Sequence, residues 1–224
     1  LSLGMGVMMA YGSYLPKNVS IVKTAFTVSI LDTAVALLAG LAIFPLVFAN
    51  GMEAGAGPGL IFQTLPIAFG QMPGGVFFGT LFFILLVVAA VTSAISLLEP
   101  VVEWFEEQKG ISRLKGALIG GISIWALGIT TILSLNEWSG FHPLGMFERF
   151  EGKTIFDLLD YVTANLMMPL GGLFIALFVG WFMSKQAAEN ELSIGNGFAF
   201  KLFMFILRFI TPAAVLVVFV YNLM

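Results

Sequence analysis

The sequence predicts an all-α membrane protein that crosses the bilayer several times, and three observations carry that reading. Of 224 residues, 59% are hydrophobic and 10% are charged, against about 25% charged in a soluble domain. With 23 Phe and 11 Met, too few polar residues remain to cover a water-soluble core, so the solvent must be lipid. The apolar residues are also gathered into runs of the length that a hydrocarbon layer of roughly 30 Å demands, about 20 residues per helix.

Five complete runs stand between charged or Gly/Pro-rich breaks: 24–48, 76–105, 114–135, 154–183 and 198–222. Residues 1–15 are too few to span and are broken by Gly4, Gly6 and Gly12, the pattern of the second half of an interrupted helix. Residues 50–75 hold many Gly and Pro around a short apolar piece, 60–69, and read as an external loop with helical turns. Neither an initiator Met nor a charged n-region precedes the first apolar stretch. It is therefore not read as a signal peptide, and the sequence is expected to begin inside a longer protein. Residues 1–224 are expected to form a single, partial transmembrane domain.

Alternating sides from helix to helix puts Lys17, Lys23, Lys109, Arg113, Lys115, Lys185 and Lys201 on one face and Arg149 and Lys153 on the other. The positive-inside rule makes the first face cytoplasmic, so the half-helix descends to the cytoplasm and the last helix ends outside the plasma (inner) membrane. Arg208 falls inside the final run, where it snorkels or pairs within the bundle. Gly75-Val-Phe-Phe-Gly79 and Gly116-Ala-Leu-Ile-Gly120 fit helix contacts made through small residues. Pro45, Pro100, Pro169 and Pro212 are expected to kink or end helices, with neighbours satisfying the freed carbonyls.

A net charge of -3 with ten scattered basic residues argues against a nucleic-acid surface. The absence of Cys removes disulfides and thiolate chemistry. Asp32 stands about eight residues into an otherwise uncharged run, where a carboxylate costs at least about 2–3 kcal/mol unless it meets a cation or strong donors. It reads either as an ion ligand or as a hydrogen-bonded helix-packing residue. Thr92 and Ser93 lie side by side near the middle of a span. Two hydroxyls beside a free carbonyl would make a hard-oxygen cation site, while the plainer reading is back-bonding to their own helix. Asp157 and Asp160 share a helix face near the extracellular end of their span. Asp157 fits helix-start capping, whereas Asp160 is deeper and better placed for a gate. Glu99, Glu103, Glu106 and Glu107 cluster toward a cytoplasmic end, solvated or paired with Lys109 and Arg113. His142 has no partners at metal spacing, and no nucleophile–base set or phosphate loop appears. An enzyme is not expected.

The string Leu1-Ser-Leu-Gly4-Met5-Gly6 followed by Tyr11-Gly-Ser-Tyr14 resembles the unwound segment and inner half of helix 6 in the sodium:neurotransmitter symporter family. Further matches follow in order. Leu31-Asp32-Thr33, Leu38-Ala39-Gly40 and Ile43-Phe44-Pro45 resemble helix 7, and Thr92-Ser93 with Pro100 resembles helix 8. Asp157-Leu-Leu-Asp160 resembles helix 10, and Arg208-Phe-Ile-Thr-Pro212 resembles helix 11. The resemblance covers essentially the whole chain. It implies a leucine-transporter-like bundle of two inverted five-helix repeats, with this chain running from the second half of helix 6 through helix 11. Helices 1–5 of the same protein are then missing partners, alongside the lipid bilayer and an amino-acid substrate.

Carried over residue by residue, the resemblance implies a first sodium ion (Na+) at Asp32, and a second at the Ala89 carbonyl, Thr92 and Ser93. It implies a substrate pocket at Ser2, Met5, Ser93, Ala94 and Leu97, an outer gate at Asp160, and an inner gate at Tyr14 with Glu107. Three positions depart from the family pattern: Met5 stands where many relatives carry Phe, Asp32 where they carry Asn, and Ala36 where chloride-dependent members carry Ser. A flexible Met between two glycines suits a roomy apolar pocket. The expected activity is sodium-coupled symport of a neutral, hydrophobic or aromatic amino acid. Alternatives are a transporter of the same scaffold with another substrate or proton coupling, and a non-transporting membrane subunit whose buried polar residues only pack helices.

Overall fold

In a computed structural model of the chain the described residues are 3–16, 18–52, 55, 57–193, 195 and 197–223, and among them there is helix and no strand. The helices are α1 (Val7–Ser13), α2 (Ile21–Ala49), α3 (Leu65–Gln71), α4 (Gly75–Lys109), α5 (Arg113–Ser134), α6 (Ile155–Phe182), α7 (Lys185–Leu192) and α8 (Phe198–Leu223). Among the described residues five of these, α2, α4, α5, α6 and α8, are long and apolar enough to cross a membrane. Only 0–11% of the most apolar window of each is buried. Apolar surface that the chain leaves uncovered on this scale requires lipid or further helices over it. The 35 residues of α4 extend roughly 52 Å at 1.5 Å per residue, well beyond a 30 Å hydrocarbon layer. The excess falls at its C-terminal end, where Glu99, Glu103, Glu106, Glu107 and Lys109 gather.

The chain divides into two compact units, one of Leu1–Ile21 with Ser96–Met224 and the other of Val22–Ile95. In the second unit, α3 packs on the start of α4 through glycine: an added Cβ at Gly79 would lie 3.2 Å from the Phe69 ring, and one at Gly75 would strike the Phe69 carbonyl. In the first unit, α4 ends at Gly110, whose φ of 62° is open to glycine at no steric cost. The N–H groups of Gly110 and Ile111 turn back to the carbonyls of Glu106 and Phe105. This reversal lays α5 along α4. An added Cβ at Gly116 would sit 3.3 Å from Phe105, and one at Gly120 would sit 2.7 Å from Leu98. Both small-residue motifs therefore pack helices.

The prolines act through the backbone. Helix segments widen into π turns at Leu60–Thr64, Tyr161–Met167 and Ile206–Ile210, and Pro66, Pro169 and Pro212 each follow two residues later. A proline has no N–H for the carbonyl four residues back and its ring crowds that carbonyl, so the preceding turn opens. At Pro212 the deprived carbonyl is that of Arg208, and the Trp181 indole donates to it at 3.3 Å. A fourth π turn, Phe178–Phe182, faces it, and Arg208 Nε donates to the Gly180 carbonyl there. Pro45 and Pro100 sit inside α2 and α4 without ending either.

Polar caps close the remaining ends. Ser134 is fully buried; its hydroxyl donates to the Thr131 carbonyl at 2.8 Å and accepts the Phe156 N–H at 3.1 Å, tying the end of α5 to the first turn of α6. Thr154 and Asp157 form a reciprocal capping box at that same start. At the far end of α8, Arg149 donates to the carbonyls of Asn222, at 2.9 Å, and Leu223, where the negative end of the helix dipole favours a cation. The small helix α7 folds back on α8 over a core of Ala188, Phe200 and Met204.

Candidate functional site

The short helix α1 opens on a backbone break. Gly4 and Gly6 have φ of 85° and 82°, values that side-chain-bearing residues rarely adopt, so residues 3–6 stay unwound with Met5 between them. The break rests directly on α6 just past Pro169. An added Cβ at Gly171 would strike the Gly4 carbonyl, and one at Gly4 would strike the Met168 carbonyl. Backbone meets backbone there, with no room for a side chain. An apolar cavity of about 400 Å³ borders the break, with Met8, Met9 and Leu207 in its lining. Met5 and Leu97 are in this first unit and both are partly exposed, at 38% and 41%. Ser2 lies outside the described residues.

In the second unit, Ala89, Thr92, Ser93 and Ala94 share an exposed stretch of α4. The Thr92 hydroxyl donates to the Ala89 carbonyl at 2.9 Å, which is the back-bonding arrangement within its own helix. The Ala89 carbonyl also takes the helical N–H of Ser93, so a cation would share these oxygens with the bonds they already make. Asp32 is exposed on α2, beside Thr33, whose hydroxyl donates to the Ser29 carbonyl at 2.9 Å. A mid-span carboxylate turned outward from its own chain requires a partner from elsewhere, or a cation, in the membrane.

Tyr14, at the C-terminal end of α1, does not meet Glu107, which is exposed further along α4. Its hydroxyl instead donates to Glu99 at 2.9 Å and accepts from Arg113 at 3.4 Å. Arg113 pairs with Glu99, whose side chain is only 14% exposed, and with Glu106 at 3.4 Å. Ser13 donates to Glu103 at 3.1 Å, and the Tyr11 hydroxyl shares a hydrogen bond with Ser96 at 2.6 Å. Charge and hydrogen bonding thus clamp the end of α1 to α4 and the start of α5. Sequence reasoning missed Glu99 as the centre of this cluster, although Ser96, Glu99 and Glu103 recur at spacings of three and four on one helix face. Lys109 lies 5.4 Å over the Trp104 ring instead.

Asp157 is the capping residue already described. Asp160, one turn on, is exposed and lines a cavity of about 250 Å³ with Arg149, Lys153, Tyr161 and Asn165. Among the described residues no group of three or more His, Cys, Asp or Glu could hold a metal ion.

A short helix entered through an unwound glycine pair, π turns within long apolar helices and five helices long enough to cross a membrane fit a multi-pass membrane protein of the broken-helix class. The chain belongs to the sodium:neurotransmitter symporter family, whose model matches residues 1–224. It is 39% identical over 226 residues to the uncharacterized sodium-dependent transporter YhdH of Bacillus subtilis (strain 168), covering 98% of this chain and 48% of that protein. An uncharacterized sodium-dependent transporter of Haemophilus influenzae is 38% identical over 225 residues, covering 100% of this chain and 48% of that one. The crystal structure of MhsT in complex with L-phenylalanine matches with a TM-score of 0.86 and 42% identity, over 99% of this chain and 49% of that one. These relatives are transporters rather than enzymes. The chain spans about half the length of the curated relatives it matches.

The glycine contact between the break and α6 generates a paired test. In the full-length protein Gly171→Ala should lose on the order of 1–3 kcal/mol of stability, because overpacking here meets backbone rather than a movable side chain. Gly172→Ala, whose added Cβ meets nothing within 4 Å, should leave the unfolding midpoint unchanged. Thermal unfolding of the two purified variants checks it; equal midpoints would contradict the close approach.

Proposed function

We propose that the protein containing this chain is a sodium-coupled symporter that carries a neutral, hydrophobic or aromatic amino acid across the plasma membrane. The observation that carries this reading is the adjacent pair of hard oxygens, Ala89 carbonyl and Thr92 hydroxyl, on the exposed mid-span stretch of α4, in a chain of a sodium-dependent family. In hydrocarbon a sodium ion keeps no hydration shell, so protein oxygens must replace it, and an outward-facing pair supplies part of a shell that further helices complete. Ser93 adds a third oxygen. Helices 1–5 of the full-length protein supply the remainder, together with main-chain groups for the substrate's carboxylate.

The substrate side rests on the unwound break. Met5, held between two left-handed glycines, brings a flexible apolar side chain next to unwound backbone, a combination that takes a zwitterion's polar end and its apolar side chain together in this reading. Leu97, in the same unit, is a further apolar member of this proposed pocket. The neighbouring MhsT structure holds L-phenylalanine, which supports a hydrophobic or aromatic class. Asp160 closes the outer side by pairing with a basic group, and its cavity already contains Arg149 and Lys153. Tyr14 holds the inner side through Glu99 and Arg113, with Glu107 next in line on α4. The basic clamp faces the cytoplasm, and α8 ends outside.

Asp32 contributes to the first sodium site and brings a full negative charge there, where a neutral amide would need an external anion. Chloride therefore has no task at this site.

Two predictions follow from these assignments. Thr92→Val with Ser93→Ala, in the full-length protein, should raise the sodium concentration for half-maximal uptake by about a hundredfold, since each of the two lost oxygens to a cation is worth roughly 1.5 kcal/mol. An unchanged sodium dependence would remove the α4 oxygens from the coupling site. Uptake should persist when chloride is replaced by a large inert anion, and Asp32→Asn should weaken sodium coupling while Ala36→Ser does little. A strict chloride requirement in the unmutated protein would refute the charge-substitution role of Asp32.

A further inference from the structure

The three arginines of the chain are differently employed. Arg113 meets two carboxylates and Arg149 meets two carbonyls. Arg208, inside α8, spends only its Nε, on the Gly180 carbonyl. Among the described residues its two terminal nitrogens have no acceptor, although a guanidinium carries five donors. It is half-buried and lines a cavity of about 260 Å³ shared with Lys185 and Lys201. No acidic residue is in that lining, and none of the three cations has a carboxylate in ion-pair range among the described residues. The other walls are aromatic: Phe205 and Phe209, with rings 5.4 Å apart and exposures of 54% and 51%.

The geometry points to a binding site for an anionic phospholipid. Lys201 lies in the first turn of α8 and Lys185 at the start of α7, on the basic side of the membrane where headgroups lie. Arg208 is seven residues further along, roughly 10 Å deeper at helical rise, at the level of a lipid's ester oxygens. The phosphate sits between the two lysines, the terminal nitrogens of Arg208 take an oxygen below it, and an acyl chain runs over Phe205 and Phe209. A free phosphate would use the lysines alone and leave the deep arginine and both rings uncovered. Three uncompensated cations select a net-negative headgroup over a zwitterionic one. Lys185 also lies 5.9 Å from the Phe200 ring, which steadies its stem without neutralising it. The inference does not depend on what the protein transports.

Native mass spectrometry of the full-length protein, released from nanodiscs of equal parts phosphatidylglycerol and phosphatidylcholine, tests it. The unmodified protein should retain phosphatidylglycerol in preference to phosphatidylcholine. Lys185→Gln with Lys201→Gln should lower that retention on the order of tenfold, given the contribution of each basic residue to headgroup attraction, and Lys185→Arg with Lys201→Arg should preserve it. Both lysines are exposed, and the Arg pair keeps the charge that Lys185 places over Phe200, so it separates loss of charge from loss of packing. Equal retention of the two lipids, no loss in the Gln variant, or displacement of the bound lipid by inorganic phosphate would overturn the assignment.

Discussion

A backbone amide or carbonyl in hydrocarbon must find a partner inside the protein, and nearly every departure from regular helix in this chain is a solution to that constraint. Three prolines withdraw an N–H, two of them inside membrane-length helices, and three π turns widen to accommodate them. Where the carbonyl of Arg208 is left short, Trp181 reaches across to it, and Arg208 in turn serves the carbonyl of Gly180. The unwound residues before α1 press their backbone onto α6 at Gly171. In the proposed function the same constraint also creates the transport site. Irregular backbone that is tolerated only because neighbours satisfy it also offers oxygens and amides where no water can, which is what a desolvated ion and a zwitterion need.

The polar side chains divide along that line. Ser134, Thr154, Asp157 and Arg149 are each engaged by specific backbone groups and hold helix ends in place. Tyr14, Glu99 and Arg113 lock the end of α1 to α4 and α5. Asp32 and the α4 oxygens, in contrast, face out of their own chain. A carboxylate costs too much at mid-span to be left there idle, so the outward-facing set is where partners from the rest of the protein and the coupling ion meet in the proposed cycle.

Much of the architecture was legible from residue order alone, because spans are set by length. An apolar run of about 20 residues has few alternatives to a membrane helix, and the five spans stand where the runs do. The glycine motifs Gly75/Gly79 and Gly116/Gly120 pack helices, since the missing Cβ lets Gly75 meet the Phe69 carbonyl and leaves room for the side chains of Phe69, Phe105 and Leu98 at the other three. The capping role of Asp157 was readable from Thr154 three residues before it. The π turns were not, because they depend on how a neighbouring helix relieves the proline. Nor was the partner of Tyr14: the acidic stripe on α4 was visible, but which of its members the half-helix meets depends on the tight reversal at Gly110. The close approach of Gly4 and Gly171 joins residues too far apart in sequence for any local pattern to mark.

The central claim is that sodium, bound by protein oxygens in the spans, drives amino-acid uptake. Its most direct test is accumulation of labelled phenylalanine in proteoliposomes containing the full-length protein, with an inward sodium gradient imposed and then collapsed by an ionophore. The account predicts uptake above equilibrium while the gradient stands and release when it is dissipated. Equal accumulation with potassium in place of sodium, driven by a proton gradient alone, would contradict it.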